Sequence, residues 1–557
     1  MKRFAIAAAV LLAVAAGCTR TTTTTTTTTA TGAASAVGAA VQQNAWTVPH
    51  VLRYATAEDI SSLNPALSQQ QTLSYMSSLT AAWLVKWDHS NRPIPEIATV
   101  VPTKENGGVS PDGLTITYHL RHGVRWSDGT PLKADDVVWS IHAIMNPAND
   151  VASRTGWNLI RRIDEPNKYT VVLHLSKPYS PFVVVFFSSA DANPSILPKH
   201  ILAQYPNMNN VPFDSLPVGA GPFMYQAWNR NQDVVMVPNP YYFRGQPKLK
   251  KVIFDIIPDR NTVFTELQAH DLDLWNGVPG AYFARFSELG PDFTYLRQPA
   301  YFYNHMDFNV SRPAVRDPIV RHALELAIDR ATLLQKIAHG VGVLEEEPAP
   351  KPAPYYDPNI RFVQFDIAKA NAMLDADGWK RGPDGIRVKN GVRLALDVAS
   401  SAGTPDTDNM LALIGEWWKQ IGVSMSVRRY ESSQLFAPYQ MGGIIYGGKW
   451  DVSLFAWGDD PIGDFSFVYG CDQIPPLGQN DLHWCNPIAN KAMHDLYSHY
   501  DQSQRNADDA VLFTQLAKDD PTIVTYVRQD VYIYNRDLKN FHPNQITPFD
   551  DFMNVDI

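Results

Sequence analysis

The residue types best able to do chemistry are concentrated in Asp451-Val452-Ser453-Leu454-Phe455-Ala456-Trp457-Gly458-Asp459-Asp460-Pro461. An apolar strand there delivers an aromatic ring, a glycine and two adjacent carboxylates into a loop at its end, a usual place for a ligand in an open α/β layer. Asp459 and Asp460 admit three readings: a counter-charge for a ligand cation, an acid or base working with a distant carboxylate in hydrolysis, or a solvated acidic turn. Trp457 offers either a stacking surface for a ligand backbone or sugar face, or a core side chain at a strand end. Trp275, Tyr303 and Phe465 carry the same two readings.

Other chemistry finds no pattern. The sequence has no His-Glu-x-x-His, no Gly-x-Ser-x-Gly elbow and no sustained Cys/His spacing, and no third glycine, lysine or hydroxyl residue comes after Gly219-Ala220-Gly221 at nucleotide-loop spacing. Neither a metal nor a cofactor is therefore expected. His119 and His122 fall on opposite faces of a predicted strand, and His483, His494 and His499 read as surface residues. Cys471 and Cys485 flank a loop containing proline and glycine. In an oxidising compartment they would close a ring of about 15 residues worth ~3 kcal/mol; otherwise they are two unconnected buried thiols.

The elements that position these residues alternate in period. Leu114, Ile116, Tyr118 and Leu120 repeat every second residue, as in a half-buried strand. Ser127-Asp128-Gly129-Thr130-Pro131 turns the chain. From Ala134, residues Val137, Val138, Ile141, Ile144 and Met145 share a helix face that Asn146-Pro147 ends, with Asp135 and Asp136 at its N-terminus. Tyr169 to Leu175 and Val252 to Ile256 alternate as strands. Asp317-Pro318 opens a helix whose predicted buried face is Ile319, Val320, Ala323, Leu324, Ala327 and Ile328.

The run Thr117-Tyr118-His119-Leu120-Arg121-His122-Gly123-Val124-Arg125-Trp126-Ser127-Asp128-Gly129, with Ala134-Asp135-Asp136-Val137-Val138 after it, closely resembles the signature of family 5 solute-binding proteins. Those are extracytoplasmic peptide, nickel and oligosaccharide receptors of ABC importers. Gly219-Ala220-Gly221-Pro222-Phe223, Asn239 to Gly245, Val320 to Arg330 and Asp366 to Trp379 resemble further landmarks of the family. His270 stands where the family usually has glycine. The resemblance implies a periplasmic-binding-protein-like α/β fold: two large lobes with mixed sheets joined by a hinge, plus a smaller accessory domain. The expected boundaries are 46–88, 212–301 and 528–557 for the first lobe, 89–211 for the accessory domain and 302–527 for the second lobe.

In peptide-binding members the loop after Trp457 carries an aspartate that pairs with the peptide's ammonium, and matching outward lands on Asp460, with Asp459 adjacent; Gly458 lies between them and the ring. The implied role is that of a monomeric, non-enzymatic receptor, with a short peptide as favoured ligand and ABC permease subunits as partners. Oligosaccharide, nickel-chelate and opine-like ligands stay open. Outside the family, a secreted hydrolase using Asp459 or Asp460 and a surface adhesin on a stalk are the competing classes.

Lys2-Arg3, the apolar run Phe4 to Ala16 and Ala15-Ala16-Gly17-Cys18 resemble a lipoprotein signal over 1–17, with Cys18 acylated and the protein anchored to the outer face of the cell membrane. Residues 18–45, which include nine consecutive threonines from Thr21 to Thr29, lack the apolar content to fold and read as a tether. The chain from Trp46 onward is long enough for several lobes. A formal charge of −9 without a basic stripe argues against nucleic acid.

Overall fold

The computed structural model describes residues 43–557 apart from 58–59, 69, 152, 191–192, 352, 361, 403–404, 438, 440–441 and 459–460. Cys18 and the proposed tether, save its last three residues, lie outside the described residues, as do Asp459 and Asp460. Among the described residues no helix is long and apolar enough to cross a membrane.

Ten strands form one mixed sheet. In chain order they are β1 (Val51–Thr56), β2 (Phe223–Asn229), β3 (Asp233–Pro238), β4 (Lys251–Ile256), β5 (Leu274–Trp275), β6 (Phe293–Phe308), β7 (Ala395–Ser401), β8 (Ser424–Tyr430), β9 (Val452–Gly458) and β10 (Thr522–Asn535). Their spatial order is β8-β7-β9-β6-β10-β5-β1-β4-β3-β2. Only β6, with 16 residues, and β10, with 14, are long enough to serve both ends of this sheet.

These two strands run antiparallel, and their register breaks in the middle. Phe293 to Pro299 pair with Asn535 to Gln529, whereas pairing resumes at Tyr303 opposite Val527. Ala300, Tyr301 and Phe302 thus stand against the single residue Arg528. Such a bulge bends the strand and re-aims its side chains. Pro299 fits this position because it has no N–H to give the ladder, and its carbonyl instead accepts from the side-chain amide of Gln545.

The sheet is covered on both faces at each end. Leu52 and Tyr54 of β1 enter a core with Phe254, Leu274 and Phe549, while the alternate residue Ala55 joins Phe264, Trp275 and Ile533. Beyond the break, Met306, Phe308, Val398, Val452 and Leu454 pack with the helix Pro318–Leu326 and with Trp418. The fold is therefore the expected two-lobed α/β arrangement, with the lobes joined through β6 and β10. A third core lies around the sheet of Thr115–His119, Thr170–Leu175 and Ile160–Asn167, backed by the helix Ala134–Met145.

Several local expectations meet their physical cause here. The helix from Ala134 ends at Met145, and the Asp136 carboxylate accepts from the Lys133 N–H at 3.0 Å. The Asp317 carboxylate likewise accepts from the Ile319 N–H at 3.0 Å at the next motif helix. Ile319 itself is exposed rather than buried, because the first turn projects past the core, and the helix stops at Leu326, leaving Ala327 and Ile328 buried just beyond it. The stretch Asp271-Leu272-Asp273-Leu274-Trp275 alternates like a strand of five residues but pairs only at Leu274–Trp275. His270 adopts φ 64°, so the glycine-type turn is kept with a histidine in it, and its ring stacks on Trp46 at 4.5 Å. His119 ends its strand, and His122 lies beyond it, stacked on Tyr169, rather than on the opposite strand face.

Gly219 and Gly221 are required for close approach. A Cβ on Gly219 would sit 1.9 Å from the Thr80 carbonyl oxygen, and one on Gly221 would sit 2.4 Å from that of Leu79. Both glycines let the returning chain lie against the C-terminus of the helix Gln71–Thr80, whose Thr80 carbonyl accepts from the Gly221 N–H at 3.0 Å.

Candidate functional site

The break between β6 and β10 opens onto a cavity of about 700 Å³, within the size range of small-molecule sites. Tyr301 and Phe302 of the bulge line it. So do Gln71, Ser74 and Tyr75 from one side, Trp457, Gly458 and Phe467 from the other, and Val184, Val185 and Asn193 from the accessory region. A second cavity of about 230 Å³ shares Gln71, Tyr75, Phe302 and Asp530 with the first. It extends toward Trp275, Asn276, Arg260 and Arg528.

Described residues of the stretch singled out from the sequence reach this space: Trp457 and Gly458 end β9 there, and Pro461 also lines it. Phe302 is paired opposite Gly458, and a Cβ on that glycine would meet the Phe302 ring at 2.9 Å. The glycine thus leaves room for a ring that is 38% exposed toward the cleft. Trp457 packs near Phe455 and Phe467, with ring centroids 6.0 and 5.9 Å away, and keeps part of its surface on the cavity.

The other aromatic candidates divide. Trp275 lines the smaller cavity while resting edge-on against Tyr282. Tyr303 and Phe465 line neither cavity and are each 1% exposed. Ladder pairing resumes at Tyr303, which places its ring in the core with Val524 and Val527 and its hydroxyl 3.4 Å from that of Tyr469. Phe465 packs against Tyr355, Tyr469 and Phe513. The β6 aromatics that line the cleft are instead Tyr301 and Phe302, two residues and one residue before Tyr303.

Asp530 is the charged group that the sequence did not single out. It lies on β10, paired opposite Gln298, and borders both cavities. Burial pushes its carboxyl above the usual carboxylate range, and the nearby Arg528 guanidinium only partly opposes this. Arg528 also lies over the Phe302 ring, 5.8 Å from its centroid. A carboxylate held in this way gains from a ligand cation, while Arg260 and Arg528 supply donors for a ligand anion in the smaller cavity. Among the described residues neither cavity is lined by histidine or cysteine.

Cys471 and Cys485 form a disulfide with Cα atoms 4.8 Å apart. It closes the segment that carries Gln479 to the cavity wall.

The family model described as bacterial extracellular solute-binding proteins, family 5 Middle, matches residues 92–473. The oligopeptide-binding protein AppA of Bacillus subtilis (strain 168) is 26% identical over 441 residues, which span 78% of this chain and 79% of that one. The nickel-binding periplasmic protein of Escherichia coli (strain K12) is 26% identical over 471 residues, 82% of this chain and 85% of that one. Among solved structures, NikA from Brucella suis in complex with Fe(III)-EDTA superposes with a TM-score of 0.78 at 20% identity, covering 91% of this chain and 99% of that chain. Because the family model spans more than half of the sequence, the chain belongs to the bacterial extracellular solute-binding proteins, family 5.

Proposed function

We propose that this protein captures a short peptide between its two lobes and hands it unchanged to an ABC importer permease, without catalysis. The observation that carries the reading is the position of Asp530, a half-buried carboxylate at the junction of two cavities whose walls come from both ends of the sheet. A peptide's ammonium meets Asp530 there, and its carboxylate meets Arg260 or Arg528. Asp460, beside the lining residues Gly458 and Pro461 in sequence, is the second acidic contact, with Asp459 its neighbour. Trp457, Phe302 and Trp275 give apolar surface to the ligand backbone. The names of the relatives support a peptide or a nickel chelate. The lack of imidazole and thiol on the described lining favours the peptide, since soft or borderline metals prefer such ligands.

Ligand contacts from both lobes favour a closed arrangement, because only a difference in affinity between two states shifts their balance. We place the hinge at the 299–303 break of β6 and its partner 527–529 of β10, and the lobe boundaries at 46–88, 212–301 and 528–557 against 302–527, with 89–211 as accessory domain. Acylated Cys18 and the stretch after it would keep a monomeric globule at the outer face of the membrane.

Calorimetry separates this reading from a hydrolase. Titrating the protein with tripeptides and oligosaccharides, and assaying each mixture by mass spectrometry, should give saturable heat with tripeptides and no product. Product formation, abolished by Asp460→Ala, would establish the enzyme instead.

A further inference from the structure

At the far side of the second lobe, the helix Pro318–Leu326 and the residues before β10 bring three potential metal donors together. One ring nitrogen of His322 and one oxygen each of Glu325 and Asp520 lie within 4.8 Å of one another. His322 Nδ1 is in contact with Asp520 Oδ2. From these positions we infer a binding site for a single divalent first-row cation of the zinc type, liganded by His322, Glu325 and Asp520 and separate from the ligand cleft.

The burial and pairing of the groups in and around the triad support a cation. Glu325 is 2% exposed; its Oε1 lies 3.3 Å from Arg330, whereas its Oε2 has no donor. The neighbouring Glu346 carboxylate, which binds Arg330 at 2.9 Å, has only a shared proton to offer it. Next to Asp520 a void of about 10 Å³ is lined by Glu346, Glu347 and Thr522 and by apolar side chains including Ile360, Phe513 and Leu516. Glu347 is 3% exposed, and its Oε2 and the Thr522 hydroxyl, both buried, likewise lack partners.

Four carboxylates, those of Glu325, Glu346, Glu347 and Asp520, therefore converge near Arg330, whose own buried Nε lacks an acceptor. Arg330 bridges Glu325 and Glu346 and donates to the carbonyls of Val524 and Val363. Arg321 spends its donors on the carbonyls of Asp519, Asp520, Val315 and Arg316. Lys369 adds a more distant positive charge near His322. A divalent ion answers this convergence of carboxylates.

One imidazole with two carboxylates suits zinc, cobalt or nickel better than calcium or magnesium, which prefer oxygen alone. Zinc with metal–ligand bonds of about 2.1 Å would hold the three atoms roughly 3.4 Å apart, which parts His322 Nδ1 from Asp520 Oδ2. His322 has 34% of its side chain exposed, which leaves an entry path and the freedom to close.

The test uses the full chain stripped with EDTA and titrated with Zn²⁺, with Ca²⁺ in parallel. Wild type should bind one Zn²⁺ with saturable heat and a rise in Tm, and Ca²⁺ more weakly. His322→Gln and Asp520→Asn should each lower Zn²⁺ affinity by more than about tenfold, the smallest loss typical even of residues that only support metal ligands. X-ray absorption should show imidazole scattering that His322→Gln abolishes. His322→Gln guards against misfolding, since its side chain is partly exposed and its apo Tm can be compared with that of wild type. Absence of Zn²⁺ binding to stripped wild type, or an affinity in both variants equal to that of wild type, would overturn the site.

Discussion

A single glycine and a single aspartate carry most of the predicted specificity. Gly458→Ala would press its Cβ against the Phe302 ring at 2.9 Å; the ring must swing into the cleft, so ligand affinity should fall while Tm changes little. Asp530→Asn should weaken a ligand bearing a free ammonium by about tenfold or more, the worth of one charge-assisted hydrogen bond. Burial raises the Asp530 carboxyl, so a proton competes with the ligand cation at higher pH than it would on an ordinary aspartate. Affinity should therefore rise with pH across that titration in wild type and stay flat in Asp530→Asn, as read by calorimetry. Asp460→Ala should cost more affinity than Asp459→Ala. Trp457 was legible because it ends an apolar strand beside acids and glycine. Asp530 was not, because it sits within an ordinary alternating strand some 70 residues later, and only strand pairing brings it to the cleft.

Elements were readable wherever period, turn and cap agreed, as in the helix Ala134–Met145. They were misjudged where tertiary contact overrode pattern, as with the shortened strand Leu274–Trp275. No local sequence signal marked the 299–303 bulge, since only Pro299 hints at it and its partner strand lies more than 200 residues away. Gly219→Ala should lower stability by about 3 kcal/mol or more in urea unfolding, because the methyl group overlaps the Thr80 carbonyl and neither backbone can retreat. Within the main sheet, burial and then Asp233 raise Asp255 of β4 to about 6. The folded chain keeps this proton between about pH 4 and pH 6, after an unfolded aspartate near 3.9 has lost its own, so this group lowers stability as pH rises through that window. Asp255→Asn should therefore remove part of the fall in Tm from pH 4.5 to 7 and melt higher than wild type at pH 7.

At the scale of the whole molecule, two well-packed cores meet through two long strands whose ladder is interrupted beside the cavity. That arrangement suits a hinge better than a rigid catalytic groove, since a bulged pair bends at little cost to either core. The family was legible from several motifs spread along the chain, because those residues make turns, caps and close backbone approaches common to the fold. The ligand was not legible, because the cavity is lined by side chains far apart in sequence.

The most direct measurement is retention of a mixed tripeptide library. The full chain is equilibrated with the library and with an N-acetylated copy of it, separated from free peptide by gel filtration, denatured and analysed by mass spectrometry. Unmodified tripeptides should be retained intact, one per chain, with Asp530→Asn and the acetylated library both retaining far less. Equal retention of both libraries by wild type, or recovery of cleaved peptides, would contradict the account.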